Sequence, residues 1–105
     1  MTRVASLAYS AAANEDIRAA YHWLEEVRPG LGRAFVEELD RLTVRIGHHP
    51  AMYQRFRGEC RRAVLNRFDY AIVYRVLDDA VQVVGVLHCR LDPVVAADRT
   101  EAAAG

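Results

Sequence analysis

Apolar positions along this chain follow two rhythms. Between Ser10 and Gly47 they recur at three- and four-residue steps, first as Ile17, Ala20, Tyr21, Leu24 and Val27, then as Phe35, Leu39, Leu42 and Ile46. That spacing puts each set on one face of a helix and predicts two amphipathic helices. Ser10 stands where a hydroxyl can accept a bond from a first-turn N–H. Glu15 and Asp16 are expected in that first turn, where carboxylates oppose the positive helix end. Pro29-Gly30 stops the first helix. The second starts near Leu31 and is expected to end at Gly47, with Pro50 just beyond. His48 and His49 at that end read as capping or solvated residues. So short a connection makes the pair an antiparallel hairpin.

Either side of the helices the period drops to two. Arg3–Tyr9 is short and partly alternating, as a strand would be. Downstream, Met52–Phe56, Cys60–Leu65, Tyr70–Leu77 and Val81–His88 read as four strands, with turns at Gly58-Glu59, Asn66–Asp69 and Asp78-Asp79. In the last hairpin, strict alternation puts Ile72, Tyr74, Val76, Val81, Val83, Gly85 and Leu87 on one face. Ala71, Val73, Arg75, Gln82, Val84, Val86 and His88 fall on the other. The first set is bulkier and is expected against the helices; the second lines the open face. Tyr70 and Tyr74 are expected to pack on the helices with their hydroxyls at the edge. Whether Arg61 or Arg62 joins the open face depends on the register of the Leu65/Tyr70 hairpin, because a one-residue slip swaps them.

The order predicts a two-layer α+β domain, β-α-α-β-β-β-β, with a helical hairpin packed on one face of a mainly antiparallel sheet. Residues 1–93 form the expected single domain. Residues 94–105 are an alanine-rich tail, a short helix or a frayed end. A partly polar open sheet face calls for a partner.

Composition narrows the class. With 105 residues, 52% hydrophobic and 27% charged, the chain fits one soluble globular domain and not a disordered, collagen-like or disulfide-stapled one. No apolar run approaches the ~18 residues of a membrane span, and Met1–Ala8 is too short and interrupted for a signal peptide. The formal net charge is zero, which is not the footprint of a protein that coats nucleic acid. The total hides an asymmetry. Asn14–His49 holds seven carboxylates against five arginines, whereas Tyr53–Arg75 holds six arginines against Glu59 and Asp69. The second stretch carries a positive field suited to an acidic partner or a phosphate backbone. Cys60 and Cys89 are expected as reduced thiols in a cytoplasm, at opposite ends of the sheet and beyond the ~7 Å reach of a disulfide. With His48, His49 and His88 scattered, they make no zinc pattern, and no cofactor is expected.

Several stretches, taken in order, resemble a known superfamily. Arg67-Phe68-Asp69-Tyr70-Ala71-Ile72-Val73-Tyr74-Arg75-Val76 followed by Asp78-Asp79 is similar to its Arg-Phe-Pro-Tyr run, its strand ending Tyr-Arg-Val and its acidic turn. Val86-Leu87-His88-Cys89-Arg90-Leu91-Asp92-Pro93 is similar to its closing strand with a His, Arg, Asp-Pro ending. Tyr21-His22-Trp23-Leu24, the Pro29 break and His49-Pro50 match its helical hairpin. The chain thus resembles the RelE/ParE superfamily of type II toxin–antitoxin systems from Ser10 to about Pro93, and its ParE-like branch more than its RelE-like branch.

The resemblance implies a cytoplasmic plasmid-stabilisation-type toxin that forms a hetero-oligomer with a cognate antitoxin and meets operator DNA only through it. ParE-like members poison DNA gyrase by protein contact and have no known bond-cleaving chemistry; RelE-like members are endonucleases that cut mRNA on the ribosome. Asp69 replaces a frequent proline, and Leu91 replaces a second arginine of many members. RelE-like chemistry relies on lysines, arginines and a late tyrosine or histidine; here lysine is absent and no tyrosine follows His88. An endonuclease would have to draw on Arg61, Arg62, Arg75 and His88, with His88 as the acid or base. The alternative reading of His88 is a strand-end residue bonded to backbone. The expected antitoxin or target contacts are Trp23, Arg61, Arg62, Phe68, Arg75 and Arg90. Trp23 either widens the core stripe or anchors a partner, Phe68 is an exposed anchor at its turn, and the arginines pair with partner carboxylates or stay solvated. A third possibility is a toxin fold that keeps its antitoxin but has lost its activity.

Overall fold

The structure is a computed structural model that describes residues 5–90 and 93–104. Its elements are β1 (Ser6–Tyr9), α1 (Ala11–Val27), α2 (Leu31–His48), β2 (Gln54–Arg57), β3 (Cys60–Val64), β4 (Tyr70–Leu77), β5 (Ala80–His88) and α3 (Pro93–Ala104). The strands form one sheet in the order β1-β5-β4-β3-β2, antiparallel throughout except for β1 alongside β5. The expected Arg3–Tyr9 strand is described from Ser6 onward, its first residues lying outside the described range. The strand expected over Met52–Phe56 is displaced to Gln54–Arg57, and α2 runs one residue past Gly47.

The helical hairpin follows its sequence signals. Ser10 caps α1, its Oγ accepting from the Ala13 N–H at 3.0 Å. Gly30 takes a left-handed conformation (φ 91°) that a side chain would disfavour, and it offers no cap to α2. Glu25 of α1 caps it instead: its carboxylate accepts from the N–H groups of Gly30, Gly32 and Arg33 at 3.2, 2.7 and 3.4 Å. Those bonds hold the Glu25 carboxyl below its ordinary value. The two helices cross closely at Gly32, where a Cβ would stand 2.6 Å from the Tyr21 carbonyl oxygen. Glu15 and Asp16 fall beyond the first turn of α1, contrary to expectation, because the helix begins at Ala11.

The α1–α2 hairpin covers one face of the sheet. Phe35, Ile46, Ile72, Tyr74, Val81 and Val83 are fully buried there. Phe35 packs edge-on against both Phe68 (5.5 Å between centroids) and Tyr70 (5.2 Å). Phe68 is therefore a core residue, not the exposed anchor its turn position suggested. The reason lies in α2, where buried Glu38 accepts from the backbone N–H groups of Asn66 and Arg67 and draws the β3–β4 turn inward. The Arg67 guanidinium covers the Phe68 ring from outside, 5.5 Å from its centroid. Tyr74 sits on the helix side as expected, its hydroxyl donating to the Pro50 carbonyl at 2.6 Å. Burial pushes that phenol up to about 12. Val27, expected on the core stripe, is exposed at the end of α1.

Strict alternation fails in β5. Val73 pairs with Gly85 and Tyr74 with Val83, so Val84 is an extra residue in a β-bulge. Before the bulge the expected faces hold. After it they exchange: Val86 joins the core under the helices, while Gly85 and Leu87 turn to the opposite face. His88 likewise leaves the predicted open face and stands opposite Tyr70, ring edge to ring face at 5.2 Å. Beyond Tyr9, β1 ends and the outer edge of β5 needs other partners. Ser10 N–H donates to the Val83 carbonyl, and Asp16 Oδ2 accepts from the Val86 N–H at 3.0 Å.

The second face is not left bare. Helix α3 crosses it, with Ala96 packed beside Cys60, Val73, Val84 and Leu87. Arg99 of α3 makes a forked ion pair with Asp16 at 2.5 and 2.8 Å and also reaches the Val84 carbonyl at 3.4 Å. Gly85 leaves room for that guanidinium, since a Cβ there would lie 3.2 Å from Arg99 Nη1. The tail read as a short helix or a frayed end is thus an ordered helix tied to both the sheet and α1.

Candidate interaction face

Register decides which arginines share a face. Arg62 pairs with Val73 and Arg61 with Tyr74, so Arg62 lies on the α3 side with Arg75, and Arg61 lies on the helix side. Arg61 is tied down there, donating to the Tyr53 carbonyl at 2.7 Å. Arg75 is held by its neighbour across the hairpin, its Nε donating to Gln82 Oε1 at 2.7 Å. Arg62 lies over the Phe56 ring, 5.2 Å from the centroid, a cation–π contact that fixes the guanidinium without neutralising it. Among the described residues the only arginine ion pairs are Arg18–Glu15 and Arg99–Asp16. Among the described residues none of the six arginines of the Tyr53–Arg75 stretch is in an ion pair, although Glu59 and Glu101 border the same hollow as Arg57 and Arg75.

Two hollows open beneath α3. One, of about 350 Å³, lies between Arg57, Glu59, Cys60 and Arg75 on the sheet and Thr100 and Glu101 on the helix. Burial raises the pKa of the Cys60 thiol, which keeps it protonated and a poor nucleophile. The other, of about 150 Å³, has Ala71, Val73 and Leu87 as its floor and Ala96 as its roof. Phe56 walls it, and Arg57, Arg62 and His88 stand at its rim.

A third depression, of about 370 Å³, runs between α1 and α3 past Trp23, Ala19, Tyr70 and Val95. Trp23 is 59% exposed there, so it does not widen the core stripe. Arg90 is exposed, and its N–H donates to His88 Nδ1 at 3.1 Å. That bond matches the reading of His88 as a strand-end residue held to backbone. Leu91 lies outside the described residues.

The four candidates for nucleolytic chemistry do not meet at one point, although Arg62 and His88 both border the smaller hollow. Arg61 is on the helix side. His88 stands opposite Tyr70, five positions along β4 from Arg75, roughly 17 Å at ~3.4 Å per residue. An acid or base must reach its reacting atom within ~3 Å. Arg62 and Arg75 do share a face and point beneath α3. Sequence reasoning missed Asp16, Arg99 and Ala96, which build and hold that face. Asp16 and Arg99 are 83 positions apart, and neither carries a local signal. Among the described residues no group of three or more His, Cys, Asp or Glu is placed to hold a metal ion, and no helix is long and apolar enough to cross a membrane. Cys60 and Cys89 are free thiols.

Residues 7–93 match the sequence profile of a family described as the ParE toxin of the type II toxin–antitoxin system parDE. No curated protein matches the chain in sequence. Among solved structures the fold is similar to a chain from the chromosomal ParDE system of P. aeruginosa, with a TM-score of 0.73 at 17% identity, covering 81% of this chain and 96% of that one.

Proposed function

This chain belongs to the ParE toxin family of type II toxin–antitoxin systems, and from that premise we propose that it arrests growth by binding DNA gyrase and is neutralised by a cognate antitoxin. It acts as a binding module in the cytoplasm, not as a nuclease. The observation that supports this reading is the separation of His88 from Arg75 along β4, together with a fixed Arg61. With His88 far along β4 from Arg75 and Arg75 tied to Gln82, no single reacting atom is within reach of His88 and both cations, so the charged face is suited to binding a phosphate or carboxylate rather than cleaving it. Arg62 and Arg75, which make no ion pair among the described residues, suit an antitoxin segment rich in carboxylates, and exposed Trp23 suits an aromatic anchor in the target or antitoxin contact. Residues 1–93 would suffice as the toxin domain, with α3 as an addition to it.

The test is inducible expression in bacteria without antitoxin, following growth, the DNA-damage response and mRNA integrity together. Arrest with damaged DNA and intact mRNA is expected, with gyrase recovered in complex with the toxin. Arrest with cleaved mRNA would overturn the reading in favour of a nuclease. A soluble, folded protein that causes no arrest would mean a retained fold without toxicity.

A further inference from the structure

We propose that the smaller hollow beneath α3 is a binding site for a small apolar molecule bearing one carboxylate, of about the size of benzoate. Its volume is about 150 Å³, and a dry cavity of about that volume takes up a benzene ring. The floor and roof are the side chains of Ala71, Val73, Leu87 and Ala96, which give water few partners, so an apolar occupant is favoured over ordered solvent.

The rim specifies charge. Arg62 is half-buried and stacked on Phe56, and it has no ion pair among the described residues. Arg57 is a second cation at the mouth. His88 also borders the hollow, but its ring lies edge-on to Tyr70 and its Nδ1 accepts the Arg90 N–H, so the charge at the mouth comes from the two arginines. Both guanidinium groups donate and neither can accept. A carboxylate takes a planar guanidinium in a forked geometry, whereas an ammonium group there would meet two guanidinium groups of like charge, with the Asp69 carboxylate, which acts on the bordering Cys89, opposing them. Arg62 is already immobilised against Phe56, so binding loses less side-chain freedom than a free arginine would. The site lies between the sheet and α3, and its occupation ties the two together. The inference stands apart from the gyrase reading, since it needs neither toxicity nor a protein partner.

The experiment uses the full chain and three probes of nearly equal shape: benzoate, neutral benzyl alcohol and cationic benzylamine. Each is titrated by protein-detected NMR at constant ionic strength. Benzoate is expected to bind in roughly the millimolar range or tighter, about tenfold more tightly than benzyl alcohol, and benzylamine not at all. Shifts should concentrate at Ala71, Leu87 and Ala96. Arg62→Gln should bring benzoate down to the level of benzyl alcohol. Ala96→Leu, which fills the hollow, should abolish binding of both. No saturable benzoate binding would overturn the proposal, as would binding indifferent to charge or binding unaffected by both substitutions. Should Ala96→Leu fail to fold, the ranking of the three probes and Arg62→Gln still decide.

Discussion

The two faces of the sheet are built on different terms. Under α1 and α2, large side chains interlock with aromatic edges: Phe35 meets Phe68 and Tyr70, and Tyr74 is sealed in with its hydroxyl bonded to Pro50. Under α3 the contact is made by Ala96 and Thr100, two hollows remain, and a forked Arg99–Asp16 pair does much of the holding. The first face is a core; the second is a docked helix over a surface whose arginines make no ion pair with the sheet's described residues. The lesson is that coverage is not packing. A helix can hide a sheet face while leaving volume and charge beneath it for other groups.

That contrast can be broken by experiment. The largest effect is expected at the first face, where Phe35→Ala removes a ring packed on two others and should cost about 3–5 kcal/mol in denaturant unfolding. A loss under 1 kcal/mol would mean the helix side is no better packed than the α3 side. Glu38→Ala comes next. It leaves the Asn66 and Arg67 N–H groups without their acceptor and should cost about 2 kcal/mol, with Phe68 becoming more exposed to solvent by fluorescence quenching of a Phe68→Trp reporter.

Arg99→Gln should cost about 1–2 kcal/mol, between an exposed and a buried ion pair. Its effect should be local: faster amide exchange in α3 with α1 and α2 unchanged. Uniformly faster exchange would show that α3 is part of one cooperative core. The smallest effect is a matter of pH. The Glu25 carboxyl is held below its ordinary value by the N–H groups of Gly30, Gly32 and Arg33. A lowered native pKa means a contribution that is present above the unfolded value of 4.5 and is lost as the pH falls through the native one. Glu25→Gln should therefore lower stability at pH 7 slightly and flatten its decline below pH 4.5. An unchanged acid limb would remove Glu25 from the hairpin's support.

Much of the fold was legible because its signals are local. Ser10 as a cap, the Phe35–Ile46 stripe, the Pro29-Gly30 break and the Asp78-Asp79 turn each act over a few residues, and each is where expected. The strand ends were less so: the β2 assignment was shifted by two residues at Met52, since an exposed edge strand imposes no strict alternation. Of the site, Arg75 was placed on the correct face and Trp23 was singled out. Phe68 was misread because its burial depends on Glu38, 30 positions earlier in the chain.

The order from β1 to β5, the helical hairpin, the hairpins of the sheet and the family resemblance could be read along the chain, because periodicity, caps and turn residues act within short windows. The remainder depends on contacts between distant parts of the chain. One extra residue at Val84 reverses every face after it, and alternation in a single strand cannot reveal a bulge that exists only relative to its partner. The choice of Arg62 over Arg61 for the α3 side is a register between two strands. The docking of α3 rests on Arg99 meeting Asp16 across 83 positions, a contact that exists only once the chain between them has folded.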